Sequence, residues 1–241
     1  MIINPNNPPT GAVYPRHILE QFAALARKHD LVLFSDEIYE KIRYVDAPPH
    51  IHTAAVADDV CVLTFSGLSK AYRMPGYRAG WVAVTGPRTA TIAYRESLEL
   101  LASLRLCANV PAQHAIQTCL GGYQSIEALI RPGGRLRDQR DLAWKLLTAI
   151  PGVSCVPAAG AMYLFPKLDP EIYPIESDEK FVLQLLQEQK ILVSHGTAFN
   201  WPTPDHFRFV ILPAVEDIEE AVRRIDHFLA AYRNRPADAS V

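Results

Sequence analysis

The 241-residue chain is 49% hydrophobic and 21% charged, a globular composition with room for one large domain or two modest ones. Its 24 lysines and arginines against 26 aspartates and glutamates leave a formal net charge of -2, which excludes a broad electrostatic pull toward nucleic acid or anionic membrane. Four cysteines, Cys61, Cys107, Cys119 and Cys155, lack metal-ligand spacing and read as reduced, mostly buried thiols of a cytoplasmic protein. No signal peptide precedes the first Asn-Pro pair, and no apolar run reaches membrane-spanning length.

Taken in order, the chain opens on Asn4-Pro5-Asn6-Asn7-Pro8-Pro9-Thr10-Gly11, a rigid turn signal. Pro15 starts a helix whose inner face carries Ile18, Phe22, Leu25, Ala26 and His29, and a buried strand follows at 31–34. Further strands are expected at 60–65 and 80–84, then helices over 89–105 and from Pro111. This alternation predicts an α/β sheet. Gly121-Gly122 and Pro132-Gly133-Gly134 break the pattern.

Beyond them a helix at 136–150 is followed by strands at 153–156 and 161–165, a helix at 181–189, strands at 191–193 and 207–212, and a helix at 217–232. That order predicts a smaller C-terminal α+β domain, giving 1–135 as a large domain and 136–241 as the smaller domain with a frayed tail from 234.

Two charged residues stand at the ends of apolar runs. Asp36 comes just after the apolar run Leu31-Val32-Leu33-Phe34, and Lys70, in Phe65-Ser66-Gly67-Leu68-Ser69-Lys70, just after the run Val60-Cys61-Val62-Leu63-Thr64-Phe65. A lysine and an aspartate at neighbouring strand ends can meet at one cofactor, and pyridoxal phosphate needs both. The lysine amine condenses with the aldehyde as a Schiff base and then shuttles a proton, while the aspartate keeps the pyridine nitrogen protonated. Taken alone, Lys70 reads as a solvated helix-start residue; Ser69, Arg78 and Asp36 reverse that reading.

Tyr39 shares the turn after Asp36 and reaches toward the ring hydroxyl, unless it is packed aromatic surface. Arg78, in Gly76-Tyr77-Arg78-Ala79-Gly80, offers a fork of donors to phosphate oxygens, against the alternative of a solvated loop arginine. Asn7 presents both donor and acceptor for the ring hydroxyl and a substrate carboxylate, or is merely a turn residue. Arg208, inside Phe207-Arg208-Phe209-Val210-Ile211, puts a charge on a strand face, where an α-carboxylate would pair with it; an internal salt bridge is the competing account.

Together the Asn-Pro…Thr-Gly, Asp36-Glu37-Ile38-Tyr39, Ser66-Gly67-Leu68-Ser69-Lys70 and Gly76-Tyr77-Arg78-Ala79-Gly80 elements resemble the class I/II aminotransferases of the type I pyridoxal phosphate fold, and among them the bacterial glutamate–pyruvate type. The resemblance implies Lys70 as the cofactor lysine, Asp36 at the ring nitrogen, Tyr39 and Asn7 near the ring hydroxyl, Ser69 and Arg78 at the phosphate, and Arg208 at the substrate carboxylate. It also implies amino-group transfer from L-alanine to 2-oxoglutarate and a homodimer; no metal site is expected.

The similarity runs from Ile2 to about Tyr232, which corresponds to the latter three-fifths of a family member. It therefore implies an incomplete large domain that lacks the N-terminal strands, the glycine-containing phosphate loop and the stacking aromatic. A catalytically inactive fragment is the competing reading of the isolated chain, and aromatic, branched-chain or methionine-related amino acids are the competing substrates. Pro8-Pro9 carries one proline more than the family motif, which is expected to disturb the register of Asn7 with Thr10-Gly11. Gly67 stands where many relatives have a phosphate-binding serine.

Overall fold

The computed structural model describes residues 1–44 and 46–233; the expected frayed tail from 234 lies outside the described residues. The chain forms two compact units. The first takes in Met1–Asn7, Ala12–Arg131 and Ala159–Ala161, and the second Pro8–Gly11, Pro132–Ala158 and the chain from Met162.

The first unit is built on strands β1 (Ile2–Ile3), β2 (Asn6–Asn7) and β3 (Ala12–Val13), helix α1 (Arg16–His29), and strands β4 (Leu33–Asp36), β5 (Val62–Gly67) and β6 (Gly80–Thr85). Its main sheet has the order β1-β4-β5-β6, parallel through β5, with β6 antiparallel at the edge. A parallel pair needs a crossover, and α1 supplies it between β1 and β4. The helix buries Leu19, Ala23 and Ala26, and its last turn carries Arg27 and Lys28, cations suited to the negative end of the helix dipole.

Its buried face is rotated from the expected one, since Leu25 is 45% exposed. Small side chains are what bring the helix close, for Ala23 and Ala26 share a core with Leu33, Ala57, Val60 and Val62. The strand expected at 31–34 is displaced to β4. The reason is local: Asp30 adopts a left-handed conformation (φ 50°), and the N–H of Leu31 bonds to Ala26 O at 2.9 Å, closing the helix rather than starting the ladder. Likewise β5 runs on through Ser66 and Gly67, which pair with Trp81 and Gly80. A Cβ at Gly67 would lie 2.9 Å from Ala79 O and 3.0 Å from the Gly80 Cα, so the ladder there tolerates only glycine.

Register places Ile2, Phe34, Asp36, Phe65 and Val82 on one sheet face, with the Phe34 and Phe65 rings stacked at 5.8 Å. Ile2, Phe65 and Val82 are exposed. Helices α2 (Arg88–Arg105), α3 (Val110–Gly121) and α4 (Ile126–Ile130) complete the unit, and α2 with the residues after it exposes Leu100, Leu101, Leu104, Leu106 and Val110.

The second unit contains α5 (Arg135–Thr148), β7 (Val153–Ser154), β8 (Tyr163–Leu164), β9 (Lys167–Leu168), α6 (Asp178–Gln189), β10 (Ser194–His195), β11 (Phe207–Val210) and α7 (Val215–Arg233). An antiparallel sheet β10-β11-β8 pairs Ser194 with Arg208 and Phe209 with Leu164. Phe181 of α6, Phe207 and Phe228 of α7 meet in its core, with the Phe181 and Phe228 rings 5.5 Å apart. The strand expected at 191–193 forms later, as β10. Lys190 caps α6 in a left-handed conformation, and Leu192 is left 79% exposed.

The thiols also differ from expectation. All four are free, but only Cys61 is buried, whereas Cys107 is exposed and Cys119 and Cys155 are half-buried. Among the described residues no helix is long and apolar enough to cross a membrane.

Candidate active site

At the carboxyl ends of β4 and β5 the first unit opens into a cleft of about 650 Å3. Its lining includes Asp36 and Ile38 from the end of β4, Ser66 from β5, and Ser69, Lys70, Pro75 and Arg78 from the turn that leads to β6. Ligand sites of open α/β sheets form outside the carboxyl ends of parallel strands, because the loops diverge there.

Asp36 is held from both sides. Its Oδ1 accepts from the Ile38 N–H at 3.2 Å, and its Oδ2 accepts from Asn4 Nδ2 at 3.5 Å. The Lys70 ammonium lies 5.7 Å from the centre of the Tyr39 ring and makes no hydrogen bond or ion pair with another described residue. Arg78 is exposed, in a left-handed conformation (φ 49°), and Nη1 donates to Pro75 O at 2.9 Å. This single backbone contact orients the guanidinium at the cleft wall.

Asp36, Ser69, Lys70 and Arg78 thus share one cleft. Tyr39 is buried and is not among the cleft-lining residues; its ring lies under the Lys70 ammonium, and its carbonyl accepts from Asn6 Nδ2 at 2.7 Å. Asn7 is not brought into the cleft lining. Paired with Ala12 across the β2–β3 hairpin, it donates from Nδ2 to the Tyr14 hydroxyl at 2.7 Å.

Arg208 lies in the second unit, on β11. Its guanidinium sits 4.5 Å from the Tyr163 ring centre and 4.7 Å from that of Phe199, and Nη2 donates to Ser194 Oγ at 3.4 Å. Nε is buried without a hydrogen-bond partner, and no carboxylate among the described residues pairs with the side chain. The internal salt bridge that competed for this residue is not what holds it.

A polar hub beside the cleft escaped the sequence reading. Glu37, the residue after Asp36, is 1% exposed. Its Oε1 accepts from Ser35 Oγ at 2.8 Å and from the Thr53 N–H at 3.0 Å, while Oε2 faces His50 Nε2 at 2.9 Å and His52 Nδ1 at 2.5 Å. Burial alone would raise its pKa, but the bonds from His50, His52, Thr53 and Ser35 outweigh it and hold the carboxyl far below the usual range. The Glu37 carboxylate in turn raises the pKa of His52. The one sequence signal was the His50-Ile51-His52 alternation after Pro48-Pro49.

Comparison with known proteins agrees with this geometry. Residues 1–225 match the family model for aminotransferases of class I and II. The chain is 60% identical over 233 residues to an alanine aminotransferase of Mycobacterium tuberculosis, covering 97% of this chain and 54% of that protein. It is 55% identical to the glutamate-pyruvate aminotransferase AlaA of Escherichia coli, covering 96% of this chain and 57% of that one. A crystal structure of an Escherichia coli aminotransferase superposes with a TM-score of 0.93 at 53% identity, over 97% of this chain and 58% of the other. An alanine aminotransferase from Pyrococcus furiosus gives 0.86 at 34% identity, over 95% and 57%. The chain therefore spans a little over half the length of the curated relatives it matches. Lysine, aspartate, serine and arginine at the strand ends, within a mixed α/β sheet of the same fold, make the assignment plain: this chain belongs to the class I and II aminotransferases.

Proposed function

We propose that this chain carries the lysine and phosphate side of the active site of a pyridoxal phosphate-dependent aminotransferase that converts L-alanine and 2-oxoglutarate into pyruvate and L-glutamate. The observation that carries the reading is the cleft shared by Lys70, Asp36, Ser69 and Arg78. Its donor set suits the cofactor: an amine with no hydrogen-bond or ion-pair partner among the described residues, a carboxylate, a hydroxyl and a guanidinium. The alanine specificity is supported by relatives at 54–60% identity that are described as alanine or glutamate-pyruvate aminotransferases.

In this reading Arg78 and Ser69 hold the phosphate, and Asp36 faces the ring nitrogen. Tyr39 and Asn7 are assigned to the ring hydroxyl region. When bound, pyridoxal phosphate supplies an aldehyde for the lysine amine and a ring that withdraws electrons from the substrate Cα. Asp36 keeps a positive charge on the ring nitrogen favourable by its own negative charge. Lys70 removes the Cα proton at Nζ and returns a proton on the other side of the transfer. Arg208 grips the α-carboxylate through charge-assisted bonds and so fixes which substrate bond faces the base. Pairing of two copies belongs to the same reading, and the exposed leucines of α2 supply apolar surface for it.

The test is pyruvate formation from L-alanine and 2-oxoglutarate with added pyridoxal phosphate, run beside L-aspartate, L-tyrosine, L-leucine and L-methionine as donors. Preference for alanine by kcat/KM is expected. A larger kcat/KM for one of the other donors would move the substrate assignment, and no cofactor-dependent turnover with any donor would reject the activity.

A further inference from the structure

Four side chains that the transamination reading leaves unused converge in the first unit. Glu37, Glu40, His50 and His52 each offer one ligand atom, and those atoms all lie within 4.8 Å of one another. Two are imidazoles and two are carboxylates, a mixed set rather than an acidic patch.

The decisive geometry comes from outside the four. Asn6 is 1% exposed, and its Nδ2 donates to the Tyr39 carbonyl at 2.7 Å, which fixes the way the amide points. Its Oδ1 therefore faces His50 Nδ1, at 3.2 Å. A carbonyl oxygen only accepts, so Nδ1 carries the N–H, and Nε2, 2.9 Å from Glu37 Oε2, is the nitrogen that either a second ring proton or a metal ion joins to that oxygen. The same oxygen faces a second imidazole, His52 Nδ1 at 2.5 Å, and that nitrogen is 3.8 Å from Glu40 Oε2.

We propose that Glu37, Glu40, His50 and His52 form a binding site for one divalent metal ion of the zinc class. With both rings neutral, the two carboxylates supply the charge that a divalent ion needs. Imidazole nitrogen together with carboxylate oxygen favours zinc over magnesium or calcium, which prefer all-oxygen shells. The surrounding contacts match what a ligating histidine needs, since the distal N–H of His50 is held by an amide carbonyl and Glu37 Oε1 is pinned by Ser35 and Thr53. Around a tetrahedral ion with bonds of about 2.0–2.2 Å, ligand atoms stand roughly 3.3–3.5 Å apart; here they stand between 2.5 and 4.8 Å apart, so the set closes on an ion with movements of roughly 1–1.5 Å. An entry path exists as well: the His52 side chain is 56% exposed, while that of Glu37 is fully buried. The ion would tie the residue after Asp36 to the segment carrying His50 and His52.

The experiment is calorimetric titration of the full 241-residue chain, stripped with chelator, with zinc chloride. One saturable site is expected. Glu40→Gln and His52→Ala, at the open rim, should each weaken it at least ~10-fold, and His17→Ala, an exposed histidine of α1, should not. X-ray absorption on the unsubstituted zinc-loaded chain should show two imidazoles and oxygen ligands at about 2.0–2.2 Å, independently of how the variants fold. Absence of saturable binding overturns the proposal, leaving protons alone to hold the cluster. So do sulfur ligands in the absorption spectrum, or affinity unchanged in both rim variants.

Discussion

Replacing Arg208 with methionine separates a substrate anchor from a structural arginine. The guanidinium makes one hydrogen bond, to Ser194 at 3.4 Å, and packs between Tyr163 and Phe199. Ring contacts of this kind contribute about 0.5–2 kcal/mol, and the unpartnered buried Nε opposes them with about 1–3 kcal/mol, so the two nearly cancel. Methionine keeps much of the side chain's length and apolar contact and removes the charge. The folded chain should therefore change stability by no more than about 1 kcal/mol, read as a small shift in denaturant midpoint. Binding of 2-oxoglutarate should suffer far more, because losing one partner of a charge-assisted pair costs on the order of 2–5 kcal/mol. That is roughly 30- to 5,000-fold in affinity or kcat/KM. Arg208→Lys should recover part of the loss, since a point charge replaces the fork. Titration with pyridoxal phosphate should be unaffected. A variant that is destabilised by more than about 3 kcal/mol yet binds 2-oxoglutarate normally would refute the reasoning and make Arg208 a structural residue.

Lys70→Ala should abolish covalent capture of the cofactor: after borohydride reduction, mass spectrometry should find the pyridoxyl adduct on the unsubstituted chain and not on the variant. Asp36→Asn should retain cofactor but slow exchange of the alanine Cα hydrogen with solvent by about 10²- to 10⁴-fold, and an undiminished exchange rate would remove the ring-nitrogen role. Among the thiols, exposed Cys107 should react first with an alkylating reagent. Burial pushes the Cys155 thiol up to about 11, so at pH 8 it holds roughly one thousandth thiolate and its labelling should accelerate as pH rises toward that value. Peptide mapping that shows Cys155 modified as fast as Cys107 at pH 8 would count against that burial.

The cleft was legible because charge at the end of an apolar run is conspicuous and has few uses. Asp36 and Lys70 each follow such a run, and parallel pairing of β4 with β5 carries both run ends to the same edge of the sheet. What remained hidden was set by contacts that no local pattern records. The start of β4 is decided by the Leu31 N–H closing α1, and the buried face of α1 by Leu19 and Ala23, which the expected face left out, together with Ala26, which it included. Glu37 stood in the sequence only as the second residue of Asp36-Glu37-Ile38-Tyr39. Its role emerges only when the chain returns through Pro48-Pro49 and lays His50, His52 and Thr53 against it.

The two asparagines of the first motif show the limit most sharply. Consecutive residues of a strand point to opposite sides, so Asn6 and Asn7 cannot serve the same partner. Asn6 turns inward to the Tyr39 carbonyl and His50, while Asn7 turns to the Tyr14 hydroxyl. Which one faces which side depends on the register of β2 with β3, here Asn6 opposite Val13 and Asn7 opposite Ala12. A slip of one residue would exchange them. The register of a hairpin follows from the length of the loop that closes it, so the four residues from Pro8 to Gly11 bear on which way Asn7 turns.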